Sequence, residues 1–302
     1  IVASIGNTPL VRLNRLSAGL PATVAVKLES RNPGGSVKDR IGLSMIDDAE
    51  VRGALVPGRS TIVEPTSGNT GIATAMVAAC KGYKFIAVLP ECMSIERRQM
   101  MEAFGAEVIV TPGDDMNLMM EKAKELSKDP NVFMPNQFQN LWNIEAHKET
   151  GYEIWRQTKG KIDVFVAAAG TGGTIVGISQ ALKSLNPDIK IVVVEPETSA
   201  VLSGELPGHH KIQGVGEGFI PENVKMEHID KVMKISDEES YETTRLLASK
   251  EGLFVGISSG ANMAAAKKIA EAISEDKVVV TIFADNGERY LSVPGLFKKE
   301  GK

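Results

Sequence analysis

Lys38 stands in the run Asn32-Pro33-Gly34-Gly35-Ser36-Val37-Lys38-Asp39-Arg40, two residues after a serine suited to start a helix. A lysine in a first helical turn meets the positive end of the helix dipole, which should lower its pKa. An amine with a lowered pKa is what Schiff-base chemistry requires. Asp39 suits that end of a helix and Arg40 does not. The bland alternative is a solvated lysine near a helix start. A second chemical feature is Gly170-Thr171-Gly172-Gly173-Thr174, which follows an apolar run at 164–168 and opens a helical stretch. Backbone N–H groups there, glycines that permit close approach and two threonine hydroxyls suit an anion. The turn is not a Walker A loop, and Ile175 stands where the dinucleotide fingerprint needs glycine. A small phosphorylated ligand is the expected occupant, and a plain tight turn is the alternative.

Two further polar turns open helical stretches. Glu64-Pro65-Thr66-Ser67-Gly68-Asn69-Thr70-Gly71 precedes an almost wholly apolar segment at 72–80. Its hydrogen-bonding side chains suit a carboxylate, or simply cap the helix. Gly256-Ile257-Ser258-Ser259-Gly260 precedes a small-residue helix and alone reads as a hydroxyl cap. Gln137 reads as a loop residue, and Gly214, Gly216 and Gly218 as either a flexible gate or a turn. The four histidines show no metal spacing, and no GxSxG or HExxH is present.

The elements that would position these turns alternate. Strand-like apolar runs fall at 25–28, 61–64, 85–89, 107–111, 164–168, 191–194 and 278–283. They are continuous rather than alternating, as in parallel strands buried on both faces. Helical stretches fall at 37–52, 94–104, 118–127, 144–158, 174–185, 237–250 and 260–273. The expected class is α/β with mostly parallel sheets flanked by helices, which puts ligands beyond the carboxyl ends of strands. The 302 residues suggest about two domains, and no linker separates them, so they are expected to interleave. With 34 Lys+Arg against 38 Asp+Glu, net charge −4, and interspersed charges, a nucleic-acid partner is not expected. No apolar run is long enough for a membrane span. Cys80 and Cys92 fit no CxxC pattern, so a reducing, cytoplasmic setting is expected. The sequence opens on Ile1 without a Met or a signal peptide, which leaves targeting open.

Taken in order, the Lys38 run, Pro65 to Gly71, Gly170 to Thr174 and Gly256 to Gly260 together resemble cysteine synthase (O-acetylserine sulfhydrylase). This is a family of fold-type II enzymes, tryptophan synthase β-like, that use pyridoxal 5′-phosphate (PLP). The opening Ile5-Gly6-Asn7-Thr8-Pro9-Leu10-Val11 and closing Gly287-Glu288-Arg289-Tyr290-Leu291-Ser292 share the resemblance, which spans essentially the whole chain. It implies that Lys38 carries the Schiff base and acts as general base. It implies that Asn69 bonds the cofactor's phenolic oxygen, that Gly170, Thr171, Gly172, Gly173 and Thr174 hold its phosphate, and that Ser258 faces its pyridine nitrogen. Thr66, Ser67, Thr70 and Gln137 would receive the amino acid's carboxylate, with Gly214 in a loop at the entrance. The implied reaction is β-replacement, making L-cysteine from O-acetyl-L-serine and sulfide through an α-aminoacrylate. Related alternatives are cystathionine or lanthionine formation, sulfide release from cysteine, or a non-catalytic PLP-binding regulator. The resemblance also implies a homodimer, a possible complex with the C-terminal tail of serine acetyltransferase, and two domains. Residues 1–37 and 145–302 would form the larger domain, and 38–144 a smaller mobile one. Three stretches depart from the family's pattern: 140–144 and 149–153, expected to lie outside the cofactor motifs, and Ala284-Asp285-Asn286, expected to touch the pocket. Glu217 is unusual in its loop and suggests an amine-bearing second substrate.

Overall fold

The computed structural model describes residues 1–66, 68–91, 93–113 and 116–297. In chain order its main elements are β1 (Leu10–Arg12), β2 (Thr23–Leu28), α1 (Lys38–Val51), β3 (Thr61–Pro65), α2 (Asn69–Lys81) and β4 (Lys84–Pro90). Next come α3 (Ile95–Ala103), β5 (Glu107–Thr111), α4 (Met116–Leu126), β6 (Val132–Phe133), α5 (Leu141–Thr158) and β7 (Val164–Ala168). The chain continues through α6 (Gly173–Leu185), β8 (Lys190–Pro196), β9 (Lys231–Ile235), α7 (Asp237–Leu246), α8 (Ile257–Ala272) and β10 (Val278–Phe283). None of the described helices is long and apolar enough to cross a membrane.

The strands form two sheets, ordered β1-β2-β10-β7-β8-β9 and β5-β4-β3-β6. All described pairings are parallel except β1 with β2. The four-stranded sheet is made entirely from chain between α1 and α5, while the six-stranded sheet takes strands from before and after it. In the larger sheet, Val164 and Val166 of β7 join Val192 and Val194 in one core, against Ala261 and Ala265 of α8. Phe165 and Ala167 face the other way, with Ile191 and Val193, onto Ile175, Ile178 and Leu182 of α6. In the smaller sheet, Ile62, Phe85 and Ala87 pack on Ile72 and Met76 of α2, and Val63 and Val88 on Met119 and Ala123 of α4. A strand covered on both faces reads as an unbroken apolar run, so these strands were legible in the residues.

β1, β6 and β9 escape that reading. β1 and β6 are only three and two residues long. β9 is an edge strand whose Lys-Val-Met-Lys-Ile is broken by lysines, with only Ile235 fully buried. α5 starts earlier than expected because Asn140 caps it, its side chain accepting the Trp142 N–H at 3.0 Å. α7 ends at Leu246 and passes into a π turn at Leu247–Glu251.

The carboxyl ends of β2, β3 and β7 run into three of the polar turns, and the turn after β10 pairs through single bridges with Ser36 and with Val255, at the starts of α1 and α8. Behind them lies a buried ion cluster. Lys27 of β2 donates to Glu153 of α5 at 2.6 Å, and Arg40 of α1 reaches both Glu29 and Glu153 at 2.7 Å. Thr8 donates to Glu29, the Asn7 N–H to Glu153, and the Asn32 side chain to Glu29. Two carboxylates thus offset the misfit of Arg40 with its helix end, and the opening motif of the chain completes their hydrogen bonding.

Candidate active site

α1 begins at Lys38 because the chain turns sharply at Gly34-Gly35, where Gly35 has φ +82°. The cap position falls on Val37, but Ser36 Oγ accepts the Lys38 N–H at 3.2 Å, a bond that tethers the start of the helix. The Lys38 amine enters a cavity of about 400 Å³ at the carboxyl ends of both sheets, 3.4 Å from Thr171 Oγ1. Its amine is pushed down to about 8, as expected in direction, but desolvation is the cause, against an opposing pull from Glu217.

Gly170, Thr171 and Thr174 line the same cavity. Gly172 and Gly173 stand just behind it, and both are forced to be glycine. Gly172 has φ +86°, and a Cβ there would lie 2.5 Å from Val224 Cγ2; a Cβ at Gly173 would overlap the Asn143 side chain. None of the backbone N–H groups from 170 to 174 bonds another described residue. Unsatisfied donors grouped at the start of a 13-residue helix form a ready anion cradle.

Thr66, Asn69, Thr70, Gln137, Gly214 and Ser258 also line the cavity, so these candidates converge on one space. Ser67 lies outside the described residues. Thr70 donates to Gln137 Oε1 at 2.6 Å, which leaves Gln137 Nε2 as a donor. The N–H groups of Asn136 and Gln137 donate to the buried carboxylate of Glu64 at 2.9 and 3.1 Å, and burial pushes that carboxyl up to about 7. The two serines of α8 divide their roles: Ser259 Oγ accepts the Ala284 N–H at 3.1 Å, while Ser258 faces the cavity. Asn69 Nδ2 donates to Asp285 at 2.6 Å, and Asn69 Oδ1 is buried without a partner.

Several residues here carry weight that the linear sequence concealed. Asn143 lies in a stretch expected to stand apart from the cofactor motifs. Instead it donates to Thr171 Oγ1 at 2.9 Å and to the Gln137 carbonyl at 2.8 Å, fastening the glycine turn to the Gln137 loop. His147, without a metal or a motif to mark it, contacts Thr174 Oγ1 at 3.2 Å through Nε2 and Thr150 at 3.3 Å through Nδ1. Burial, together with Arg40 and Lys38, holds its imidazole well below its ordinary pKa, so it stays neutral. Arg97 lines the cavity, stacks on the Tyr290 ring at 4.7 Å and donates to Gln213 at 2.7 Å. Their common signal is a polar residue on a buried helix face, visible only once the helices are placed. Cys80 is a free, exposed thiol, and Cys92 lies outside the described residues. Among the described residues no histidine, cysteine or carboxylate cluster could hold a metal.

PLP fits this donor set. The cavity supplies an amine with a lowered pKa for its aldehyde and a set of unbonded N–H groups for its phosphate. A family profile described as pyridoxal-phosphate dependent enzyme matches residues 1–285. The probable cysteine synthase of Bacillus subtilis is 54% identical over 294 residues, 95% of this chain and 94% of that protein. A cysteine synthase of Staphylococcus aureus is 50% identical over 297 residues, 97% of this chain and 96% of its own. The crystal structure of cysteine synthase from Entamoeba histolytica superposes with a TM-score of 0.95 at 41% identity, covering 100% of this chain and 91% of that one. With its fold, its cavity and its relatives in agreement, the chain belongs to the cysteine synthase family of fold-type II, pyridoxal-phosphate dependent enzymes.

Proposed function

We propose that this enzyme makes L-cysteine from O-acetyl-L-serine and sulfide by β-replacement, with Lys38 as its catalytic residue. The observation that carries this reading is the convergence of the Lys38 amine, the unbonded 170–174 N–H groups and the Thr66–Thr70–Gln137 set on one cavity. PLP bound there withdraws electrons from the substrate's α-carbon, which eases loss of the α-proton and of the β-acetate.

Each residue then has a task. Lys38 Nζ would hold the cofactor aldehyde and, when free, would take up the substrate's α-proton as general base. Gly170, Thr171, Gly172, Gly173 and Thr174 hold the phosphate through N–H groups and hydroxyls. Asn69 faces the phenolic oxygen, and Ser258 offers a neutral hydroxyl to the ring nitrogen. A neutral hydroxyl there would not stabilise a protonated ring nitrogen, which would suit loss of a β leaving group. Thr66, Ser67, Thr70 and Gln137 take the substrate carboxylate, with Glu64 holding the Gln137 loop in place. Gly214 lies in the entrance loop. Residues 38–144 serve as the smaller, mobile domain, and its closure on the bound carboxylate excludes water.

A homodimer is part of the reading. Leu43, Val51 and Trp142 line an apolar cleft away from the cavity, with Val51 88% exposed, which suits a second copy. The terminal carboxylate of a serine acetyltransferase tail matches the donors proposed for the substrate carboxylate. The setting is cytoplasmic.

The deciding experiment is rapid mixing of the PLP-loaded enzyme with O-acetylserine, then with sulfide. A change in the cofactor's visible absorption, one acetate released per site and cysteine formed on adding sulfide support the reading. An unchanged spectrum with O-acetylserine, alongside a response to O-phosphoserine or serine, overturns the substrate. Tail-peptide binding with no response to any of them makes the chain a binding module.

A further inference from the structure

Helices α5 and α6 come backbone to backbone beside the glycine turn. A Cβ on Gly177 would overlap the Ile144 carbonyl oxygen, and one on Gly151 would lie 2.7 Å from Ala181 Cβ, so only glycine allows the approach. It brings two polar side chains of α5, one turn apart, against the two hydroxyls of the turn: Asn143 against Thr171, His147 against Thr174. In the first pair the direction is fixed. Asn143 Nδ2 also meets the Gln137 carbonyl, which can only accept, so this nitrogen donates to Thr171 Oγ1 and leaves the Thr171 proton free. In the second pair the direction depends on the imidazole tautomer. His147 and Thr150 are fully buried, and the Thr150 and Thr174 hydroxyls have no described partner but the ring, at Nδ1 and Nε2. Burial, with Arg40 and Lys38 nearby, keeps the ring neutral, so it carries one proton. With that proton on Nε2, Thr150 donates to Nδ1, the ring donates to Thr174, and the Thr174 proton is free for the cavity. With it on Nδ1, the chain reverses, and Thr174 turns its proton to the ring and its lone pairs to any anion.

We propose that His147 is a positioning residue of the anion cradle: held as the Nε2–H tautomer by the Thr150 hydroxyl, it turns the Thr174 proton toward the cofactor's phosphate, as Asn143 does for Thr171. This rests on the reading that residues 170–174 hold that phosphate. Both threonines then act as donors of fixed direction, and the order Thr150, His147, Thr174 runs one way from the interior of α5 to the cavity. A hydroxyl whose proton is already aimed at an anion loses no freedom when the anion arrives.

The first test needs no variant in the measured protein. Nitrogen NMR of PLP-loaded wild type with labelled histidine, the His147 signals being those missing from His147→Gln, should show Nε2 protonated and Nδ1 bare. The reverse tautomer, or a doubly protonated ring, overturns the proposal. The second test titrates cofactor-free proteins with PLP and with pyridoxal, which lacks the phosphate. His147→Leu should weaken PLP binding about 10-fold or more, the size of a hydrogen bond to a charged group, and pyridoxal binding by less than about 3-fold. Thr150→Val, which removes the donor to Nδ1, should weaken PLP binding by about 3-fold and leave pyridoxal unchanged. His147→Gln, whose amide N–H can replace Nε2–H, should recover most of the loss. Equal losses of PLP and pyridoxal in His147→Leu would show a packing role and overturn the proposal. If wild type binds pyridoxal as tightly as PLP, the phosphate reading itself fails. If wild type prefers PLP and both His147→Leu and Thr150→Val keep that preference intact, only the role of His147 fails.

Discussion

Asn69 Nδ2 donates to Asp285 Oδ2 at 2.6 Å, joining the first residue of α2, which lines the cavity, to the buried turn after β10. The Tyr290 hydroxyl donates to the same oxygen at 2.7 Å, and burial with the Asp285 charge pushes the phenol far up, so it remains a donor. The pair fixes the direction of the Asn69 carboxamide. Asp285→Ala should release it and leave two buried donors unsatisfied, weakening PLP binding by about 5- to 150-fold for a loss of about 1–3 kcal/mol. Titration of cofactor-free protein with PLP, followed by absorbance, measures this. Tyr290→Phe keeps the carboxylate and should cost less. Unchanged affinity in Asp285→Ala would show that Asn69 is positioned by other means.

Lys38→Ala should abolish the protein-dependent visible absorption of bound PLP and lower turnover by about 10³-fold or more. The wild-type chain supplies a pH test of the same amine. Its pKa is lowered to about 8, so the neutral, nucleophilic form grows as pH rises through 8 and is complete above it. The rate of PLP capture by cofactor-free protein should follow that curve rather than one centred near 10.5. Glu217→Gln removes the charge that favours the ammonium form and should move the midpoint lower. Capture that still climbs steeply between pH 9 and 11 would place the reacting amine elsewhere.

The strands of the two cores were legible because residues such as Val164 to Ala168 are buried on both faces and cannot alternate. The turns carrying Lys38, Gly170 and Ser258 were legible because glycine and hydroxyl residues mark the start of a helix. Asn143 was not, because its importance lies in a partner 28 residues away, and nothing local separates it from a surface asparagine. Arg40 and Glu153 were equally hidden: 113 residues apart, each looks like a solvated charge until α1 and α5 meet. The dipole argument for Lys38 reached the right direction, but desolvation is the cause, and no sequence pattern reports how dry a cavity is.

Gly173 and Asn143 should behave as a coupled pair. A Cβ at Gly173 would overlap the Asn143 side chain, so Gly173→Ala must displace the group that holds Thr171 and the Gln137 carbonyl. The substitution should cost about 1–3 kcal/mol of stability and weaken PLP retention. Asn143→Ala alone loses two hydrogen bonds, yet removes the closest atoms the added methyl would meet, leaving only the residue 143 carbonyl at 2.9 Å. The double variant should therefore be more stable than the sum of the single losses, by about 1 kcal/mol or more. Unfolding midpoints of the four proteins, loaded and unloaded, complete the cycle, and strict additivity would show that the two positions do not touch.

Glu153 links acid stability to the placement of Lys38. It accepts from Lys27, from Arg40 and from the Asn7 N–H. Burial opposes its charge, but these partners together hold its pKa down at about 2, against an ordinary 4.5. A carboxyl whose folded pKa is depressed stabilises above its unfolded value and loses that contribution as pH falls through the folded one. At about 1.4 kcal/mol per pH unit, the contribution is about 3 kcal/mol, full above pH 5 and gone near pH 2. Glu153→Gln keeps the shape, removes the charge and leaves Lys27 and Arg40 underpaired, so it should destabilise by about 3–5 kcal/mol at pH 7. The gap from wild type should narrow as pH falls from 5 towards 2, where the wild-type carboxyl is itself protonated. Arg40 stands two residues from Lys38, so the same variant should bind PLP more weakly at pH 7, measured by titration. A gap that stays constant from pH 7 to 2 would show that Glu153 contributes packing rather than charge.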